Sequence, residues 1–273
     1  MAEAGDAGVT MVERARRAAL HVDVVGAGAP LVLLHGFAMH GALFAPLVDA
    51  LAAHRRMHVI DLPGHGRSPP SAAFTLEALV DDLDTAVETD ARLDVVGWSL
   101  GGQAALEWAR LRPSRIRKLV LVATTPSFVT RAGWPHAMSA PTLARFGDEL
   151  RVAYRLTLAR FLALQVHGSD ERRATLAKLR TRLLDRGEPT PRVLAAALAL
   201  LRETDLRASL PSIATPALVI GGERDAIVPI EATRRLAAAL PNGHHATIAG
   251  ASHAPFLSHT RAFVDVVRPF LDG

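Results

Sequence analysis

The 273-residue chain contains no cysteine. That excludes disulfides and thiolate metal sites, and a cytoplasmic home needs no further assumption. Aromatic residues make up only 5% of the chain, with Tyr154 the single tyrosine. Stacking platforms for nucleic acid are therefore not expected. No run of 18 apolar residues occurs, so no membrane-spanning helix is expected. The order of a signal peptide is also missing, because Arg14, Arg16 and Arg17 are followed by Asp23 within the apolar stretch. Metal catalysis is disfavoured: HExxH is absent, and the twelve histidines are scattered without ligand spacing. A phosphate-binding loop is absent too, since Gly97, Gly101 and Gly102 lack the following lysine and the wider spacing it requires.

What is present is a sequence with ample material for a core, at 49% hydrophobic residues. Short apolar runs bounded by Gly, Pro or Asp recur at Leu31 to Leu34, Met57 to Ile60, Leu93 to Val96, Leu119 to Val122, Ala217 to Ile220 and Ala246 to Ile248. They read as buried strands. Helix-period segments lie between them, at Leu43 to Ala53, Thr75 to Val87, Gln103 to Leu111, Ile230 to Leu240 and Thr260 to Leu271. This alternation predicts an α/β fold with a mostly parallel sheet covered on both faces. It fails over residues 126–202, where Ala, Leu and Arg dominate. That stretch is expected to be an all-helical lid inserted into a core formed by residues 13–125 and 203–273. Residues 1–12, small and polar, are expected to be a flexible extension, with Met11 an alternative start. Charge is divided unevenly. The lid carries 13 Lys and Arg against 6 Asp and Glu, while the rest of the chain carries 18 against 21. A solvated helix face and a docking surface for an acidic partner both fit that excess.

The chemistry is concentrated in three places. Gly97-Trp98-Ser99-Leu100-Gly101 follows a strand and opens a helix, the context of the nucleophile elbow of α/β-hydrolases. Glycines two before and two after the serine permit the tight turn that lifts its hydroxyl above the sheet. A serine is inert at neutral pH without a base to take its proton, and that base needs an orienting acid. In this fold the order along the chain is Ser, Asp or Glu, His. Asp225, just past the strand Ala217 to Ile220, is the preferred acid because the apolar Ala226-Ile227-Val228-Pro229 that follows can shield it; Glu223 is the competitor. His253, after the last strand, is the candidate base. His244 and His245 are placed before that strand and His259 at the start of the final helix, all three as ordinary surface histidines. The backbone amides of Leu100 and Phe37 are the candidate oxyanion donors. His35 and the turn Asp61 to Ser68 are read as structural. None of this chemistry calls for a cofactor.

Several stretches are narrower than the superfamily pattern: GWSLGG at 97–102, ATTP at 123–126 with Trp134-Pro135 after it, RFLALQ at 160–165, TDLR at 204–207 and SHAPFLSH at 252–259. On these the chain resembles the BioH carboxylesterases of biotin synthesis, from about Leu31 to the C-terminus. The resemblance implies hydrolysis of the methyl ester of pimeloyl-acyl carrier protein by a cytoplasmic, monomeric enzyme. It also implies an acyl pocket formed by Phe37, Leu100, Phe161, Leu162, Ala163, Leu164 and Gln165 with Ser99 and His253. Basic lid residues, with Arg155, Arg160 and Arg173 as candidates, would receive the acidic acyl carrier protein. Phe37 stands where the family pattern has tryptophan, which affects pocket width more than backbone chemistry. A general short-chain carboxylesterase, lactonase or perhydrolase with the same triad is the alternative, and a ligand receptor that barely turns over is the rival from another class.

Overall fold

A computed structural model describes residues 19–183 and 186–273; the expected extension at 1–12 and its alternative start lie outside them. Seven strands form one sheet in the order β1-β3-β2-β4-β5-β6-β7. They are β1 (Val22–Val25), β2 (Ala29–Leu34), β3 (Arg55–Ile60), β4 (Leu93–Trp98), β5 (Ile116–Val122), β6 (Ala217–Gly222) and β7 (Gly243–Ile248). Only β1 runs antiparallel, against β3. It is also the one strand that the apolar runs do not announce: four residues at the sheet edge, half-buried at Val22 and Asp23 and exposed at Val24 and Val25.

Burial explains why the other runs are legible. Parallel strands covered on both faces need side chains that are apolar in both directions, and every residue of β4 and β6 is buried. One charge interrupts this pattern. Asp94 of β4, fully buried, accepts from Arg55 Nη1 at 2.8 Å and Arg117 Nε at 2.8 Å. A buried carboxylate persists only when paired in this way.

Helices α1 (Ala45–Leu51), α2 (Leu76–Ala86) and α3 (Leu100–Leu111) connect the first strands, with α8 (Ile230–Ala239), α9 (Pro255–Ser258) and α10 (Thr260–Asp272) toward the C-terminus. The segment expected as one helix from Leu43 divides into a 3₁₀ turn at Gly41–Phe44 and α1, which carries Pro46 in its first turn. Register brings the carboxyl ends of the parallel strands level. Leu34 pairs with Ile60 and Gly97, Trp98 with Val122, Val122 with Ile220, and Gly222 with Ile248. The loops after β2, β4, β6 and β7 therefore gather at one edge, where open α/β sheets bind their ligands.

Between β5 and β6 lie α4 (Ala140–Val152), α5 (Tyr154–Gln165), α6 (Arg172–Leu183) and α7 (Pro191–Glu203). Ser139 and Thr190 cap α4 and α7, accepting from Thr142 and Val193 at 3.2 and 3.3 Å. The insertion is not helical throughout. Residues 126–139 form a loop held by isolated bridges Val129 to Met138 and Arg131 to Trp134, with the Trp134 indole donating to Thr125 Oγ1 at 3.1 Å. A buried ion pair joins insertion to core: Arg186 Nη1 donates to Asp61 Oδ2 at 3.0 Å, and Nη2 donates to Asp23. Asp61 also accepts from the Gly41 and Arg67 amides at 2.7 and 2.9 Å. Burial works against its charge, but these donors outweigh it and hold the carboxyl below the usual range.

Candidate active site

Ser99 sits between the last residue of β4 and the first of α3 with φ 55° and ψ −114°, a left-handed conformation that costs a side-chain-bearing residue about 1–3 kcal/mol. The surroundings hold it there. Its amide donates to Val122 O at 2.9 Å, and its carbonyl accepts from Gly102 N at 2.9 Å and Thr124 Oγ1 at 2.7 Å. The flanking glycines contribute differently from the expectation, since neither has positive φ. A Cβ at Gly97 would lie 2.5 Å from Gly101 O, and one at Gly101 would lie 2.3 Å from Leu34 O. Close approach of backbone to backbone is what excludes a side chain there, while the serine itself carries the strain.

His253 and Asp225 meet. His253 Nδ1 lies 2.7 Å from Asp225 Oδ2, with both side chains buried. Asp225 Oδ1 accepts from the amides of Ile227 at 2.8 Å and Val228 at 3.0 Å. The apolar loop after Asp225 thus supplies donors as well as cover. Since the carboxylate oxygen accepts, Nδ1 carries the hydrogen. Glu223 is committed elsewhere, its Oε2 accepting from Gly250 N at 2.9 Å. His253 is fixed at its backbone from two sides. Trp98 Nε1, next to Ser99 in sequence, donates to His253 O at 2.8 Å, and His253 N donates to Gln165 O at 3.0 Å.

The remaining histidines divide clearly. His35 Nε2 accepts from Leu62 N at 2.8 Å, so Nδ1 is the donor, to Gly36 O at 2.9 Å. Burial pushes its pKa down to about 3, and that of His65 to about 4. Both are neutral buried elements that shape the two loops. His244 and His245 are placed differently from the expectation: they lie within β7, and His245 Nε2 meets Thr233 Oγ1 at 2.9 Å. His259 caps α10, its Nδ1 2.8 Å from Ser258 Oγ.

Leu100 is the first residue of α3, a position whose amide has no intrahelical acceptor. The loop after β2 presses on the serine: a Cβ at Gly36 would lie 3.2 Å from Ser99 Cβ. Phe37 follows, and its ring packs edge-on against Phe161 at 5.6 Å and Phe146 at 6.1 Å between centroids. Together they bound a cavity of about 310 Å³ that contains Ser99, Leu164 and Ile227.

The pocket expected from residues 161–165 is partly corrected. Phe161 and Leu164, three apart on α5, line the cavity. Leu162 and Gln165 are buried on other sides of the helix and Ala163 is half-buried; none of the three lines it. Leu100 and His253 are buried behind the lining rather than part of it. Phe146, Leu143 and Leu198 line it although no motif marks them; only their apolar periodicity on α4 and α7 could have pointed inward. Arg160 stands at the cavity with Glu149, 3.9 Å away. Arg155 is exposed and 3.9 Å from Glu188, and Arg173 is exposed on α6. Pairs this long and this exposed contribute little to stability. Among the described residues, no three His, Asp or Glu side chains are grouped to hold a metal ion, and no helix is long and apolar enough to cross a membrane.

Comparison with known proteins gives the family. The α/β-hydrolase fold family matches residues 29–260. A pimeloyl-[acyl-carrier protein] methyl ester esterase of Xanthomonas oryzae pv. oryzae is 45% identical over 92% of this chain and 98% of its own length. One from Stenotrophomonas maltophilia is 42% identical over 92% and 96%. Among solved structures, an esterase from Exiguobacterium antarcticum superposes with a TM-score of 0.87 at 20% identity, covering 93% of this chain and 96% of that one, a likeness of fold alone. The enol-lactonase from Burkholderia xenovorans LB400 gives 0.81 at 25% identity, over 93% and 96%. On the family match and on relatives matched almost end to end, the chain belongs to the α/β-hydrolase fold family and, within it, to the pimeloyl-[acyl-carrier protein] methyl ester esterases.

Proposed function

We propose that this protein is a serine carboxylesterase that hydrolyses the methyl ester of pimeloyl-acyl carrier protein, releasing methanol, as a step of biotin synthesis. The observation that carries the substrate is the 45% identity, nearly end to end, to relatives named for it. The chemistry is supported by the buried His253–Asp225 pair, which the Trp98 indole ties to the strand end that carries the strained Ser99.

In this reading Ser99 Oγ attacks the ester carbonyl and its proton passes to His253 Nε2. Asp225 holds the ring through Nδ1–H and stabilises the imidazolium that forms. The amides of Leu100 and Phe37 receive the oxyanion. Methoxide is a poor leaving group, so the imidazolium returns the proton as methanol departs. Water, activated by the same histidine, then attacks the acyl-enzyme; the carboxylate product leaves and Ser99 regains its proton. The phenylalanine-lined cavity suits the methylene chain, since apolar walls with a few polar groups are the usual acyl site. Arg155, Arg160 and Arg173 present positive charge to an acidic acyl carrier protein. Cytoplasmic placement and a monomeric state accompany the reading as expectations. The test is direct: purified protein is given pimeloyl-acyl carrier protein methyl ester beside short nitrophenyl esters. Turnover of the carrier-bound ester supports the proposal, whereas activity on the nitrophenyl esters alone favours a general esterase.

A further inference from the structure

Two cavities meet at Leu143 and Leu198 of the helical insertion. The first is the catalytic cavity with Ser99. The second, about 260 Å³, lies in the cleft between α4 and α7 and includes no residue of the sheet or its loops. Leu143 of α4 and Leu198 of α7 line both. Each is buried, at 5% and 9% exposure, so the two side chains form a partition one residue thick. Its seat on α4 is specific. A Cβ at Gly147 would lie 2.9 Å from Leu198 Cδ2, too close for contact without movement, so glycine there lets Leu198 occupy its place. Beyond the partition the second cavity is an open cleft, floored by the buried Leu150 and Leu194 and rimmed by exposed residues, Ala195 among them. Its charged members, Asp148, Arg151 and Arg202, are more than half exposed at the rim, Arg151 paired with Asp148 and Arg202 with Glu203.

We infer that Leu143 and Leu198 set the upper limit on the acyl length of carrier-free esters, by standing between the catalytic cavity and an apolar-floored cleft that would otherwise receive the free end of a longer chain. The inference rests on the esterase reading of Ser99 but not on the identity of the carrier. A chain that passed the partition would bury further methylene groups, each improving binding by roughly fourfold. With the partition in place, those groups cannot reach the apolar floor that Leu150 and Leu194 form.

The experiment measures kcat/KM on nitrophenyl esters from butyrate to laurate, for wild type, Leu198→Ala and Leu143→Ala. The ratio of laurate to butyrate is expected to rise by about tenfold or more in each variant. Adding Ala195→Phe to Leu198→Ala places a ring over the cleft from its exposed rim and is expected to bring the ratio back toward wild type. The ratio is internal to each preparation, so loss of folded protein lowers both activities and leaves it unmoved. Leu198→Val, a smaller truncation, gives a smaller shift in the same direction and covers the case in which the alanine variants do not fold. An unchanged ratio in the folded variants, or a raised ratio that Ala195→Phe fails to reverse, overturns the partition. The underlying reading is checked separately by whether Ser99→Ala abolishes butyrate turnover.

Discussion

The backbone N–H of His253 donates to the backbone carbonyl of Gln165 at 3.0 Å, so the last residue of α5 holds the histidine proposed as base. Around this bond the insertion and the two loops carrying His253 and Asp225 are laced together. Arg224 Nη1 donates to Gly168 O at 3.0 Å and also to Asp170. Asp170 N donates to Gly250 O at 3.1 Å, and Gly250 N donates to Glu223. The insertion and the loops that carry His253 and Asp225 are therefore one connected structure.

The two acidic residues of the loop after β6 should separate by substitution. Asp225→Asn presents a donor where the histidine needs an acceptor, and kcat should fall by about 10⁴ through the wrong tautomer. Glu223→Gln keeps an oxygen for the Gly250 amide and should lose less than about tenfold. Steady-state kinetics on a nitrophenyl ester distinguishes them, and equal losses would remove the basis for choosing Asp225.

Charge on the insertion should matter for one class of substrate. Arg155→Glu with Arg173→Glu, both exposed and outside the cavity lining, should raise KM for the carrier-bound ester by roughly tenfold or more and make turnover less sensitive to salt. A small soluble ester should show little change. Equal effects on both substrates would point to a disturbed insertion instead of lost docking.

Stability should fall in mild acid. His35 and His65 are held neutral, with pKa values near 3 and 4, whereas the unfolded chain protonates each near 6.5. Below pH 6.5 the unfolded state binds more protons, so each histidine removes up to about 1.4 kcal/mol of stability per pH unit until its folded pKa is reached. The lowered pKa of Asp61 adds a loss in the same direction below about 3.8. Thermal melting between pH 7.5 and pH 5 should show the midpoint dropping, and a flat profile would contradict the neutral burial of these two rings.

Much of this was legible in the sequence because parallel strands and the elbow impose local rules. The runs around Val95, Val120 and Val219 must be apolar on both faces, and Gly97 and Gly101 must lack side chains for backbones to touch. What stayed hidden depends on distance through space. β1 has too little burial to show a pattern, the partners of Asp94 come from two other strands, and Arg186 finds Asp61 across 125 positions. The pocket stretch 161–165 was readable as a segment. Its face was not, because a helix turns only two of those five residues toward the cavity.

The central claim is that Ser99 cleaves a carrier-bound methyl ester. Methanol release from pimeloyl-acyl carrier protein methyl ester should be measured for wild type and Ser99→Ala, with folding of both confirmed by circular dichroism. Wild type should release methanol steadily, and the variant should lose about 10³-fold or more. Comparable release by folded Ser99→Ala, or none by folded wild type, would contradict it.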